Sequence, residues 1–420
     1  YGRQDYKVAG KVPVVDDKLY VGFALASLSR DGYGEFLETA LNNQDTENYN
    51  KDVFAGRVTV EFTPTDDLFF RFNYDNTKDE SNAKGGYRIL PSIVTDAPVP
   101  DSKYDSYTSL PTENLVENEG WSLTAEYFIN DFWSVKSVTA ARENYSPTNI
   151  DFDNTPLQIF DVPAVYDDEQ FSQEFQLNYD GENLTLVSGL YYFDAESCGH
   201  YDAIIFQSLS VDQSGCNNSE SYAVYAQGSY NVTDKLSFTL GARYTEEEKE
   251  ANVTKDVYGS IEYPLSGWIP GYTRADLPQT EVLNGKKDWS RFTPKVGIEY
   301  QVDEDMMVFA SYSQGFKSGT FNPRASTNEP AVNPEIVDSI EMGIKSEWFD
   351  QLRVNATVFA LEHKDRQYKS VAPNEDPTIL DSRLGNIGQS EALGLELEME
   401  YAATDSLSFN FSLGYIDSEF

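Results

Sequence analysis

Few residues in this chain are of the types that do covalent chemistry. Among 420 residues there are two cysteines, Cys198 and Cys216, and two histidines, His200 and His363. Neither histidine sits in a spacing such as H-E-x-x-H, which sets two imidazoles on one helix face for zinc. No G-x-S-x-G elbow or phosphate-cradling loop occurs either. Paired acids are frequent, but with 70 Asp and Glu against 31 Lys and Arg they carry no catalytic signal. An enzyme is therefore disfavoured, and nothing calls for a cofactor or a catalytic metal. Cys198 and Cys216 are expected in one long outer loop, between strands near Asn183–Asp194 and Glu220–Asn231, and in an exported chain such a lone pair is expected to bridge, with free thiols or a metal pair as the alternatives. Such a bridge would contribute roughly 3 kcal/mol by chain entropy. His200 and Tyr201, beside Cys198, are candidate ligand contacts; plain solvation is the competing role.

The charge balance narrows the partners. A net charge of −39 repels a phosphate backbone, which excludes nucleic acid. So much acid either solvates long loops or lines a funnel for a cationic ligand. No run approaches the about 20 apolar residues of a membrane-crossing helix. The chain opens at Tyr1 with no charged-then-apolar leader, so any export signal is expected to have been removed or to lie outside this sequence. With 28 Tyr, 25 Phe and 27 Gly, the composition suits β-structure.

The elements that must position these residues show in a repeated pattern. An alternating strand reaches a short Asp- or Asn-containing turn, and a second alternating strand leads into a long polar connection. The short turns fall at Val15–Lys18, Thr65–Asp67, Asn130–Asp131, Asp180–Asn183, Val232–Lys235, Val302–Asp305, Phe349–Gln351 and Thr404–Ser406. Asp and Asn suit these places because they bond their own backbone and tolerate unusual dihedrals. Eight such hairpins predict sixteen strands.

Alternation is cleanest where Leu236, Phe238, Leu240, Ala242 and Tyr244 interleave with Ser237, Thr239, Gly241 and Arg243. It recurs through Leu393–Tyr401 and Leu407–Tyr415. A period of two puts each set on one face of a sheet. A soluble sandwich alternates too, so the connections decide. Those on one side are a few residues long, while the other side carries stretches such as the polar one between Lys78 and Gly120. Short turns on one side and long loops on the other predict a transmembrane antiparallel β-barrel in the outer membrane of a Gram-negative bacterium. Aromatics near the short turns, among them Phe62, Tyr127, Phe132, Trp133, Tyr230, Trp348 and Tyr401, would form the periplasmic girdle. Lipid and lipopolysaccharide would be its surroundings.

If the apolar set faces lipid, the lumen receives Arg57, Glu61, Arg71, Arg243, Lys295, Glu299, Glu341, Lys345, Arg353, Glu396, Glu398 and Glu400. A watery pore tolerates such charge. The first strand, near Arg3 to Val14, descends to a short turn, and the last, from Leu407 to about Asp417, ascends from one. Closed single-chain barrels start and stop at the periplasm, so at least one strand is expected to be missing at each end.

Several segments resemble the TonB-dependent outer-membrane receptors, especially the iron-complex transporters. They are Phe292-Thr293-Pro294-Lys295-Val296-Gly297, Tyr312-Ser313-Gln314-Gly315-Phe316-Lys317-Ser318-Gly319, Asn333-Pro334-Glu335 with Glu341-Met342-Gly343-Ile344-Lys345-Ser346, and Gly385-Asn386-Ile387-Gly388 with Gly394-Leu395-Glu396-Leu397-Glu398. Earlier ones are Gln170–Glu174 and Tyr222–Tyr244. The resemblance implies a barrel of about 22 strands closed by an N-terminal plug. Residues 1–420 would be a partial barrel domain, without the plug and some terminal strands. Arg57, Arg71, Arg243, Lys295, Arg353, Glu396 and Glu398 would then face the plug. It further implies active import of a scarce nutrient, with a ferric siderophore ahead of haem, cobalamin or an oligosaccharide. Energy would come from the TonB–ExbB–ExbD complex, reached through the plug and its contact box. A passive porin is the chief alternative, and a non-transporting adhesin a third class.

Overall fold

The computed structural model describes residues 1–39, 45–94, 96–206, 209–258, 279–325, 329–373 and 380–420. The chain enters as β1 (Gln4–Val15) and β2 (Leu19–Arg30), then forms the short β3 (Gly34–Thr39) and β4 (Glu47–Asn48). It returns as β5 (Lys51–Thr65) and β6 (Leu68–Asp79), and after β7 (Ser106–Thr108) continues as β8 (Val116–Phe128) and β9 (Trp133–Asp151). The longest hairpins follow: β10 (Phe160–Asp180), β11 (Leu184–Ile205), β12 (Leu209–Thr233), β13 (Leu236–Tyr258) and β14 (Gln279–Asp303). The last are β15 (Met306–Lys317), β16 (Glu335–Trp348), β17 (Leu352–Pro373), β18 (Leu380–Thr404) and β19 (Leu407–Glu419).

Sixteen of these strands make one sheet in chain order, while β4, β3 and β7 form a small separate one. Every pair in the large sheet whose register is given is antiparallel, from β1 with β2 to β18 with β19. The two edges, β1 and β19, have no strand partner on their outer sides among the described residues. All eight short turns of the sequence are hairpin turns here. Asn130 shows why: its Oδ1 accepts from the Phe132 and Trp133 amides at 2.9 and 3.0 Å. Thr233 Oγ1 serves the Lys235 and Leu236 amides in the same way. The Trp348–Gln351 turn closes by a 3.1 Å backbone bond, with Phe349 and Asp350 both at positive φ (57° and 53°). That is the type I′ geometry, which matches the right-handed twist of the strands it joins.

Register carries the alternation across the whole wall. Leu190, Val224, Tyr244 and Phe292 stand opposite one another on β11 to β14. Val296, Tyr312, Ile340, Ala360 and Leu393 extend the same face through β18. These apolar side chains are not packed inside: Leu240 is 64% exposed, Leu190 60% and Phe411 53%. Among the described residues, Val253, Leu283 and Ala325 form one small buried apolar cluster. A sheet that leaves one whole apolar face open needs an apolar surrounding rather than water.

Two expectations require correction. Cys198 and Cys216 do not lie in a long outer loop; they are direct cross-strand partners within β11 and β12. These strands run for 22 and 25 residues, about twice what a bilayer crossing needs. Hydrogen-bonded ladders therefore continue well beyond the membrane, because cross-strand pairing satisfies the backbone there whatever the side-chain pattern. The stretch from Lys78 to Gly120 is likewise not a plain solvated loop. It carries β7, and Ser106, Ser109, Leu110 and Thr112 within it are almost completely buried.

Candidate functional site

The face opposite the apolar one carries the charges, by strand parity alone. Arg57 stands beside exposed Val58, Arg243 between Ala242 and Tyr244, and Lys295 beside Val296. Arg71, Glu299, Glu341, Lys345, Arg353, Glu396, Glu398 and Glu400 share that parity. Several are paired within the wall. Glu61 is bonded to Lys11 and lies 3.0 Å from Arg71. Arg353 reaches Glu347 at 3.1 Å and Glu400 at 3.2 Å. Arg243 lies over two rings, 5.3 Å from Tyr191 and 5.6 Å from Tyr225. Tyr225 in turn donates to Glu174 at 2.6 Å. A guanidinium held between aromatic faces keeps its donors aimed along the wall, which favours recognition of a planar acceptor group.

At the outer end of this face, the segments that carry the family resemblance meet. Asn333 donates its amide to Asn386 Oδ1 at 2.7 Å, and Asn386 Nδ2 returns a bond to Asn333 O at 3.0 Å. Gln367 Nε2 donates to Ser318 O and to Asn333 O. Glu335 accepts the Gln367 amide at 2.7 Å and lies 2.9 Å from His363 Nε2. Burial alone would raise the Glu335 carboxyl, but these bonds outweigh it and hold it below the usual range. Gly319 has a local reason too: a Cβ there would come within 2.3 Å of the Trp289 ring and the Val332 carbonyl. Ser318, Asn333, Glu335 and Asn386 thus pin one rim, although they are far apart in sequence.

Cys198 and Cys216 are joined, with S–S 2.02 Å and Cα–Cα 4.1 Å. His200 and Tyr201 part company, because adjacent strand residues point to opposite faces. His200 Nε2 lies 3.0 Å from Asp212 Oδ1. Tyr201 shares a cavity of about 140 Å³ with Gln213, Pro323 and Arg324. Its hydroxyl donates to Gln213 Oε1 at 2.5 Å, Arg324 lies 5.5 Å from its ring, and burial raises its pKa.

Among the described residues, three compact groups bring donor atoms within 4.8 Å of one another: Glu196 with the bridged Cys198 and Cys216, then His200, Asp202 and Asp212, and the trio Asp151, Asp153 and Asp161. In the trio, Ser109 donates to Asp161 at 2.6 Å and its amide to Asp151 at 3.0 Å. Burial, and then the charges of Asp161 and Asp153, push the Asp151 carboxyl up to about 8, so a proton relieves the repulsion. Sequence reasoning missed this trio, since acids are too common here for three of them to stand out. The rim was partly visible, because its residues carry the family resemblance, although nothing local gives a reason for their proximity.

The model of the family described as "TonB dependent receptor-like, beta-barrel" matches residues 74–420. The chain belongs to that family. Among its relatives is the pesticin receptor of Yersinia pestis, 21% identical over 426 residues, covering all of this chain and 56% of the relative. A probable TonB-dependent siderophore receptor, PiuA of Acinetobacter baumannii, is 23% identical over 208 residues, covering 48% of this chain and 24% of that protein. The crystal structure of the ferric yersiniabactin uptake receptor FyuA from Yersinia pestis superposes with a TM-score of 0.78 at 17% identity. It covers all of this chain and 59% of that one. This chain therefore spans a little over half the length of the relatives that match it throughout. The receptor barrel lies in the outer membrane, and its open apolar face is the lipid face.

Proposed function

We propose that this barrel is the wall of an active importer, which takes up a scarce small nutrient and releases it inward by TonB-coupled work. The observation that carries the reading is the inner wall, lined across many strands by charges that are only partly paired among themselves. Lys295, Glu396 and Glu398 stand on it with no ion pair to another described residue. A plug domain, supplied by the part of the protein outside this sequence, would take up those groups. Arg57, Arg71, Arg243 and Arg353 would be further plug contacts. The remaining strands would come from outside this sequence as well. The relatives named for siderophore reception and for ferric yersiniabactin uptake point to an iron chelate as the ligand class. TonB, with ExbB and ExbD, would be the energy-coupling partner, and no catalytic role is proposed.

A passive porin would have the same lipid face but an open lumen. Planar-bilayer recording separates the two. The full-length protein should show no steady ion conductance, because the plug fills the lumen. A steady, large conductance in the untreated protein would mean that the charged wall lines a water-filled pore.

A further inference from the structure

The chain carries a net charge of −39, yet the inner face of β13 and β14 is basic. Between Arg243 and Asp256 on β13, and between Thr280 and Lys295 on β14, the inward positions hold six cations against two carboxylates, Glu247 and Glu281. The outward positions of the same two stretches hold five carboxylates against one cation, Lys286. Alternation thus sorts charge by face, and the acid that dominates the composition is turned away from the lumen on these strands.

The outer part of this basic stretch is partly enclosed. Lys249 lies past the first about 9–11 residues of β13, the length that crosses a bilayer, so it stands at the outer mouth. Lys249 and Lys287 are direct cross-strand partners, a placement in which like charges repel. No ion pair joins either to another described residue. Lys287 lies instead 5.3 Å from the Trp289 ring. Lys249 is half-buried, and burial pushes its ammonium pKa down; Glu247 opposes that and Lys317 adds to it. The segment after β15 folds back over the same face. A Cβ on Gly285 would come within 2.2 Å of the Phe321 ring, and Ala325 packs with Val253 and Leu283. This brings Arg324 to 5.5 Å from the Tyr201 ring. Burial, and then the charge of Arg324, lower the Lys369 ammonium as well. The cavity of about 140 Å³ that holds Tyr201 and Arg324 is lined by Val253 too, two inward positions beyond Lys249.

We propose that Lys249, Lys287 and Arg324, between the inner wall and the 318–325 segment over it, form a subsite for an anionic small ligand that presents two or more carboxylate or phenolate oxygens. Two ammonium groups set opposite each other, one of them half-buried, repel until an oxyanion lies between them. Lysine supplies a point charge on a long stem, and the Arg324 fork can take a carboxylate with two parallel bonds. A cationic ligand, which the overall charge would draw from a distance, is repelled at this wall. The inference rests on the import reading, on which these residues face the path of the ligand, and adds the sign of the ligand's charge.

The test is equilibrium dialysis of the full-length protein in detergent micelles, without TonB, against two radiolabelled probes. One is iron(III) citrate, an anionic chelate; the other is a neutral iron(III) trihydroxamate. The citrate chelate should bind the more tightly, and its affinity should fall as sodium chloride is raised. Lys249→Gln/Lys287→Gln should weaken it by about tenfold or more, the loss of one or two charge-assisted contacts. Lys286→Gln, on the outward face next in sequence, should leave it unchanged. If the double variant fails to fold, Lys287→Gln and Arg324→Gln singly should each weaken the citrate chelate and spare the neutral one. No binding of the citrate chelate, equal binding of the two probes, or parent-like affinity in the lysine variants would overturn the proposal. Because the readout is binding without TonB, a full-length protein that conducts as an open pore would refute import and leave this result standing. TonB-dependent uptake with no preference for the anionic probe would refute the subsite alone.

Discussion

Cys198 and Cys216 face each other across a hairpin that stands clear of the membrane, so their bond ties the projecting ends of β11 and β12. The sequence separation of 18 makes the closed loop worth roughly 3 kcal/mol by chain entropy. Replacing both by Ser should destabilise the hairpin by about that much, seen as early proteolytic nicking near its tip, while the membrane portion stays folded. Alkylation of the unreduced protein followed by intact-mass analysis should find no free thiol; two labelled cysteines would contradict the bridge. Asp151 allows a second test at this scale. Its carboxyl ordinarily titrates at 3.8 and is raised in the folded chain to about 8, first by burial and then by Asp161 and Asp153. A pKa raised on folding gives stability that is complete below the unfolded value and is lost as pH rises through the folded one. Between pH 5 and pH 9 the thermal midpoint of the outer rim should therefore fall. Asp151→Asn should flatten that slope, and an unchanged slope would show that the trio shares its proton otherwise.

At the scale of strands, the facing assignment can be tested by pairs of neighbours. Arg placed at Leu240, on the lipid face, should cost about 2–4 kcal/mol near the midplane. Arg at adjacent Thr239, on the inner face, should be far milder in a denaturant titration after refolding into vesicles. Equal costs would contradict the assignment of faces. This part of the structure was legible in the sequence because two local signals agreed. Asp, Asn and Thr fixed the turns by bonding their own backbone, and the period of two fixed the faces. The outer ends were not legible for the same local reasons. Beyond the membrane both faces of a strand meet water, so alternation fades while the ladder continues, and the stretch around Cys198 reads as loop. The buried Ser106–Thr112 segment and the Asp151 trio are held by contacts between residues tens of positions apart, which no local period records. The rim joining Ser318, Asn333, Glu335 and Asn386 fell between these cases.

For the whole molecule, the proposed import would set the wall two demands that conflict. A ligand captured when scarce must be held tightly, and a tightly held ligand leaves slowly. The outer membrane offers no ATP, so release has to be driven by work delivered from the inner membrane. On the proposed reading, an inner wall of fixed charges, with Arg243 held between Tyr191 and Tyr225, would give a plug something to grip and to be pulled from. The most direct measurement is uptake of a labelled iron chelate by cells expressing the full-length protein, with TonB present, with TonB deleted, and with the proton gradient collapsed. Uptake should stop in both of the last conditions, while ligand still binds at the cell surface. Uptake that continues at the same rate without TonB would contradict active import and leave the barrel a passive pore.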